Sequence, residues 1–405
     1  MSRFAVPALL ATVVLSTAPL GAAAQTAGRQ GADTAAARPP QPPPPATPAL
    51  DFSGTIFGNY QVRTDYAAKA QTGGKSPDQF ALDRVYLTFR MPVGDRASIR
   101  ATTDIFQNAA NGYYGGWAVR LKYGYLQYDV LRDIGGHKGF NALARIGMLH
   151  TVVIDHEEQF WPRYLGPTGV DRFGFFQSSD LGVATQVALP NRLGEVYATL
   201  TNGSGYQAPE ADRFKHVALR ATFTPLAARP GLLQTLAISP WVYKGFTASR
   251  FAAGGPGQVG PVAEALTRDR WGIFAGIRDP RLTVAAHYAH RAEGFETGAN
   301  TPASPRVVTA DSSGSLWSAY TIVRPWHWQV GKNTARLGAV LRWDRFTPRT
   351  AVTGHEDLVV AGVQFEPTTR TALTFDYQSL APQDFLLRAP ITTNHTWFLH
   401  WSATF

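Results

Sequence analysis

From Leu50 onward the chain alternates apolar and polar residues with a period of two, in short runs separated by turns. No run approaches the roughly 20 apolar residues a spanning helix requires. In Ala335–Phe346, Leu337, Ala339, Leu341 and Trp343 oppose Arg336, Arg342 and Asp344. In 82–91, Val85, Leu87, Phe89 and Met91 oppose Arg84, Tyr86, Thr88 and Arg90; in 97–105, Ala97, Ile99, Ala101 and Ile105 oppose Ser98, Arg100, Thr102 and Asp104. Such segments are strands with one apolar and one polar face. Val119, Leu121, Tyr123 and Tyr125 are read in the same way as the apolar side opposite Arg120 and Lys122, and Ala144, Ile146 and Met148 oppose Arg145.

Sixteen such strands are expected, with fourteen to eighteen as the range; the weakest is 233–244, which contains Pro240. Their connections alternate in length. Short turns fall at 92–95, 190–194, 279–280 and 367–369, and long connections at 66–79, 150–179, 203–212 and 291–313 among others. A soluble two-sheet sandwich gives no reason for that rhythm. A transmembrane antiparallel β-barrel does, with short turns at one end, long loops at the other and an apolar face turned to lipid. The aromatic content of 12% suits girdles at two membrane interfaces. Hence the fold expected is all-β: a closed barrel of about sixteen strands.

Both ends of the chain fit a bacterial outer-membrane location. Met1-Ser2-Arg3, an apolar Phe4–Leu20 and Gly21-Ala22-Ala23-Ala24 read as a secretory signal peptide over 1–24, cleaved before Gln25. Residues 25–49, with Arg38-Pro39-Pro40-Gln41-Pro42-Pro43-Pro44-Pro45, read as an extended periplasmic linker, and 50–405 as the barrel. The last strand carries Trp397, Leu399, Trp401, Ala403 and Phe405 at period two and stops on a bare aromatic. That pattern looks like the closing strand that the barrel-assembly machinery reads. With no cysteine, disulfides, thiolate metal sites and thiol nucleophiles are excluded.

With the apolar faces in lipid, the polar faces line the lumen. There, Arg84, Arg100, Arg120, Lys122, Arg145, Arg270, Arg336 and Arg342 outnumber the acids. Net charge is +9, falling to +8 with the loss of Arg3. A basic wall around a water-filled pore concentrates anions. The opposing reading is that these arginines pair with lumen acids and brace the wall. The connection 150–179, rich in bulky aromatics, is expected to fold into the lumen and put Arg163, Tyr164 and Arg172 at a constriction.

Phe80-Ala81-Leu82-Asp83-Arg84-Val85-Tyr86-Leu87-Thr88-Phe89-Arg90, Ala101-Thr102-Thr103-Asp104, Leu121-Lys122-Tyr123-Gly124-Tyr125-Leu126, Arg145-Ile146-Gly147-Met148 and Asp180-Leu181-Gly182-Val183 together resemble the phosphate-selective porin O and P family. The likeness covers roughly 50–205. It implies anion transport through arginine ladders and a lysine cluster at the constriction. Here only Lys122 supplies a lumen lysine in the matching region, so anion preference carries over more readily than phosphate binding. Porins of this size are commonly homotrimers.

The expected function is therefore a passive diffusion channel for small hydrophilic, preferentially anionic solutes, with no cofactor, no metal and no chemistry on the solute. Its expected partners are outer-membrane lipid and lipopolysaccharide. His150, Asp155, His156, Glu157 and Glu158 have no standard metal-ligand spacing. No G-x-S-x-G motif supports a hydrolase. Asn202-Gly203-Ser204-Gly205 precedes no helix and is not a phosphate loop, and the dispersed arginines form no nucleic-acid patch. A plugged barrel that binds a sugar or hydrophobic solute on Trp326, Trp328 and the loop aromatics is the alternative.

Overall fold

The computed structural model describes residues 49–108, 116–210, 212–249, 265–348, 354–383 and 394–405. The leader 1–24 and all but the last residue of the 25–49 linker lie outside the described residues. The described chain closes into one antiparallel barrel of sixteen strands, each paired with its neighbours in sequence. They are β1 (Asp51–Arg63), β2 (Asp78–Pro92), β3 (Ala97–Asn108), β4 (Gly116–Leu131), β5 (Asn141–His150), β6 (Ser179–Ala188), β7 (Gly194–Thr201), β8 (His216–Phe223), β9 (Ala237–Ala248), β10 (Ala265–Arg278), β11 (Leu282–Thr297), β12 (Val307–Val330), β13 (Asn333–Thr347), β14 (His355–Thr368), β15 (Thr371–Gln383) and β16 (Asn394–Thr404). Strand β9 begins later than the expected 233–244, because 232–235 form a 3-10 turn. Pro240 then lies in the strand opposite Ile273.

Closure matters because a sheet edge cannot be left unpaired in hydrocarbon. Strand β16 supplies it by pairing with β1 from Thr55↔Thr404 to Arg63↔Thr396. The last residue completes the seam: Gly54 and Phe405 exchange two backbone hydrogen bonds, each 3.0 Å. A side chain at position 54 would collide with the Phe405 ring, so glycine leaves the space that the terminal aromatic fills. Tight turns join most strand pairs at one end, where the connections 132–140 and 224–236 are longer. Asp279 and Leu282 bond each other's backbone, and Gly331, at φ +61°, takes the first central position of the two-residue turn between β12 and β13. Long connections occupy the other end, the first of them carrying a short helix, α1 (Tyr66–Gln71).

The apolar faces point outward. Val119, Leu341 and Val363 are among the exposed residues, in strands whose alternate positions are buried in the lumen. Aromatic contacts gather in two outer belts. Phe52–Phe89 (5.1 Å between centroids), Phe52–Phe405 (5.9 Å) and Trp328–Phe365 (6.0 Å) lie towards the short-turn end. Trp271–Tyr288 (5.4 Å), Tyr288–Trp317 (4.5 Å) and Tyr377–Trp397 (5.0 Å) lie further towards the loops. Trp326 and Trp328 are outward and exposed, so they belong to the lower belt and offer no surface to a solute in the lumen.

The register shifts in several strand pairs, among them β1–β2, β11–β12 and β3–β4, and the shift in β4 changes which face its aromatics take. In β4 the register against β3 slips between Thr102↔Tyr123 and Thr103↔Leu121, leaving Lys122 as the extra residue of a bulge. Val119 and Leu121 stay outside, whereas Tyr123 is buried and Tyr125 packs against the inner core. Below the bulge Leu126 and Tyr128 take the outer face. The expected placement of Tyr123 and Tyr125 on the lipid side is thus corrected, and Lys122 with both tyrosines faces inward.

Candidate functional site

Residues 151–178, between β5 and β6, fold into the lumen and carry two single-turn helices, α2 (Ile154–Glu157) and α3 (Gly169–Arg172). Their apolar side chains form two buried clusters with the inner wall. One joins Ile154, Val170, Phe175 and Phe176 to Trp241, Leu316 and Phe346; the other joins Phe160, Trp161 and Leu165 to Phe274, Ile322 and Val360. Phe173 stacks on Phe346 at 4.7 Å, and Phe160 meets Phe274 at 4.9 Å. These contacts hold the loop against β9–β14, so the lumen is filled on one side.

Backbone polar groups buried with that loop need partners. Wall arginines supply them. Arg220 donates to the carbonyl of Val152 and Arg270 to that of Phe175. Arg278 reaches Gln159 at 3.0 Å and Arg342 reaches Pro167 at 2.8 Å. The same guanidiniums hold acids: Arg220 with Glu195, Arg270 with Glu293, and Arg342 with Asp344 at 2.6 Å. Arg270 and Arg342, expected along the pore, are instead buried braces of the loop, because a desolvated guanidinium is stable only when its donors are matched. Glu157 and the His287 Nδ1 meet at 3.0 Å with both side chains fully buried, and Ser239 bonds His156 at 2.9 Å.

The far end of the loop reaches across to the closing strands. Tyr164 Oη bonds Thr374 at 2.9 Å and accepts from Gln364 at 2.5 Å, while Gln378 donates to the carbonyl of Leu165 at 3.1 Å. Burial pushes the Tyr164 phenol up to about 12. Arg163 bonds Glu158 at 2.5 Å and Asp171 at 2.6 Å. Burial disfavours its charge, but Glu158 and Asp171 outweigh this and hold its pKa well above the ordinary arginine value.

Open space remains on the other side of the lumen. An outer cavity of about 500 Å³ lies between the loop and β1–β3, β15 and β16. An inner cavity of about 380 Å³ shares Phe57, Arg163 and Tyr164 with it. These three residues therefore mark the narrowing between them. A further cavity of about 240 Å³ shares Thr55, Tyr86, Glu158 and Thr404 with the inner one and extends to Arg90, Arg100 and Lys122. The path is eccentric, running along the β15–β4 wall.

The remaining expected site residues differ in state, and Arg120 and Arg145 line none of the three cavities. Arg84 lines the outer cavity, 3.6 Å from Asp104. Arg120 is locked between Asp104 (2.8 Å) and the hydroxyl of Tyr206 (3.0 Å), and lines none of the three cavities. Arg336 lines the inner cavity and meets Glu366 at 3.4 Å. Arg100, Lys122 and Arg145 have no carboxylate partner among the described residues. Arg100 bonds His150 Nε2 at 2.8 Å and lies over Tyr123 at 4.8 Å; Lys122 lies over Tyr86 at 4.2 Å; Arg145 donates to Gln127 at 2.9 Å. Arg172 lines the outer cavity with its Nε unpartnered. Burial and the neighbouring Arg342 pull its pKa down to about 10, which leaves it charged at neutral pH. From the loop, Asp155 and Glu158 face the Arg100–Lys122 wall across the third cavity.

The acidic and histidine residues of 150–158 do not converge on one point. His150 reaches Asp155 at 3.4 Å, while His156 and Glu157 turn to Ser239 and His287. The inward-facing Gln61 and Gln79 of the outer cavity were not singled out from the sequence; their signal was a glutamine at a lumen position near the loop end of two successive strands.

No protein-family model and no curated protein matches the chain. Solved structures do match. The anion-selective porin from Comamonas acidovorans superposes with TM-score 0.56 and 10% identity, covering 89% of this chain and 100% of that one. This barrel is porin-like in fold. Salmonella typhi OmpF in complex with daunomycin matches with TM-score 0.56 and 12% identity over 88% of this chain and 97% of its own. The outer membrane channel DcaP of Acinetobacter baumannii matches with TM-score 0.53 and 12% identity over 89% and 99%. At such identities the likeness is one of fold.

Proposed function

We propose that the protein is a passive diffusion channel of the bacterial outer membrane, for small hydrophilic solutes with a preference for anions. The observation that carries this is the charge of the three adjoining cavities. Their lining holds Arg84, Arg90, Arg100, Lys122, Arg163, Arg172, Arg336 and Arg370 against Asp83, Asp155, Glu158 and Glu366, eight cations to four carboxylates. A low-dielectric wall focuses that excess into the path, where it raises the local anion concentration. Loop carboxylates facing wall cations also set a field across the third cavity, which orients a dipolar solute.

On this reading phosphate is one anion among many, since the cations of the path are spread over several strands. The reading includes no chemistry on the solute; the buried Ser239–His156 contact lines none of the three cavities. Assembly as a homotrimer belongs to the same proposal; the trimer form of Vibrio cholerae OmpT matches this fold with TM-score 0.51 and 11% identity over 88% of this chain and 99% of its own. The test is single-channel recording in a planar bilayer under a KCl gradient. Conductance steps whose reversal potential lies towards the chloride value are expected. Steps with cation preference refute the charge argument, and a silent barrel refutes the channel.

A further inference from the structure

The outer cavity is chemically unlike the two below it. Six carboxamides line it: Asn59, Gln61, Gln79, Gln107, Gln378 and Asn394. Gln61 and Gln79 are register partners across β1 and β2. Neither makes a side-chain hydrogen bond among the described residues. Asn59 Nδ2 donates to the two carboxylate oxygens of Asp83, at 3.0 and 2.8 Å, and its buried carbonyl oxygen is left without a partner. The Nδ1 of His400, on the same wall, is also buried and unpartnered. Phe398 stacks on His400 at 4.6 Å with an interplanar angle of 15°, and both rings line the cavity. Arg172 adds a guanidinium with a free Nε and no acid bonded to it.

Each group has a natural complement. A carboxamide presents a donor and an acceptor side by side, which suits a hydroxyl group that both donates and accepts. An aromatic ring accepts the apolar face of a saturated ring beside it. An unpaired guanidinium takes a carboxylate or phosphate through charge-assisted hydrogen bonds. The volume of about 500 Å³ falls in the range of small-molecule sites. We propose that the outer cavity is a binding site for a small carbohydrate bearing one anionic group, a sugar acid or a sugar phosphate. Arg172 holds the anion, Gln61 and Gln79 hold hydroxyls, and Phe398 underlies the ring. This rests on the channel reading, in which the site loads solute above the narrowing at Phe57, Arg163 and Tyr164.

Single-channel current through the full barrel in 0.1 M KCl tests it, with glucuronate, glucose 6-phosphate, glucose and acetate added in turn from the side of the long connections. Glucuronate or glucose 6-phosphate should interrupt the current at concentrations roughly tenfold or more below those needed for glucose or acetate, as charge-assisted bonds and hydroxyl contacts add. Whichever anion is stronger identifies the group that Arg172 prefers. Arg172→Gln should erase the advantage over glucose, and Gln61→Leu with Gln79→Leu the advantage over acetate. Heat-modifiable gel mobility confirms that each variant is folded. Equal interruption by acetate and glucuronate, or steps with no interruption at all, overturns the site and leaves the channel standing. If no steps occur the channel reading falls, and titration calorimetry of glucuronate into the detergent-folded barrel decides the site. Heat that disappears in Arg172→Gln upholds it, and absence of heat overturns it.

Discussion

Lys122 offers a clean test of the path electrostatics, because its removal leaves no stranded carboxylate. Its ammonium lies 4.2 Å from the Tyr86 ring centre and 5.4 Å from that of Tyr123, with no acid bonded to it. Lys122→Gln therefore removes one charge from the third cavity with little structural consequence. An ion about 6 Å from the ammonium, in water, feels about 0.7 kcal/mol. Screening leaves about 0.4 kcal/mol at 0.1 M salt and about 0.1 kcal/mol at 1 M. The term has opposite sign for chloride and potassium, so the substitution should lower the chloride-to-potassium permeability ratio about fourfold at 0.1 M, and less than about 1.5-fold at 1 M. Reversal potentials under salt gradients at both ionic strengths measure this. An unchanged ratio at low salt, or an equal change at both, would refute the assignment of Lys122 to the conducting path.

Other substitutions separate the braces from the path. Arg342→Leu strands the buried Asp344 and frees the Pro167 carbonyl; breaking a buried pair should cost about 3–5 kcal/mol and lower the unfolding temperature read by gel mobility. Glu157→Gln removes the charge that meets His287 and should loosen the loop, seen as noisier open-channel current at unchanged selectivity. Phe405→Ser keeps the backbone pair with Gly54 but empties the space beside it, and should reduce folded barrel recovered from outer membranes. If it assembles at the level of the unsubstituted chain, the terminal aromatic has no role in closure.

The strands were legible because alternation over ten or so residues, ended by turn residues, has few other meanings. The inward loop was legible because so many aromatics in one connection need burial. The face of Tyr123 and Tyr125 was not, since the bulge at Lys122 arises where the register against β3 slips, and the nearby Gly124 does not by itself tell which residue is extra. Nor could the sequence sort its arginines. Arg270 and Arg100 look alike along their strands; what separates them is Glu293 and the carbonyl of Phe175 beside one, and His150 and Tyr123 beside the other. Such partners are set by the path of the loop, which depends on packing against β9–β14 and carries no local signal.

The outer cavity straddles the seam where the barrel closes. Asn59 and Gln61 come from the first strand of the sheet, Phe398 and His400 from the last, and Tyr164 is fixed by Thr374 and Gln364 near the end of the chain. A ring missing its final strand has no such cavity and no anchor for the tip of the loop. The proposed solute site and the completed wall thus share the same residues, so a barrel halted before closure lacks both.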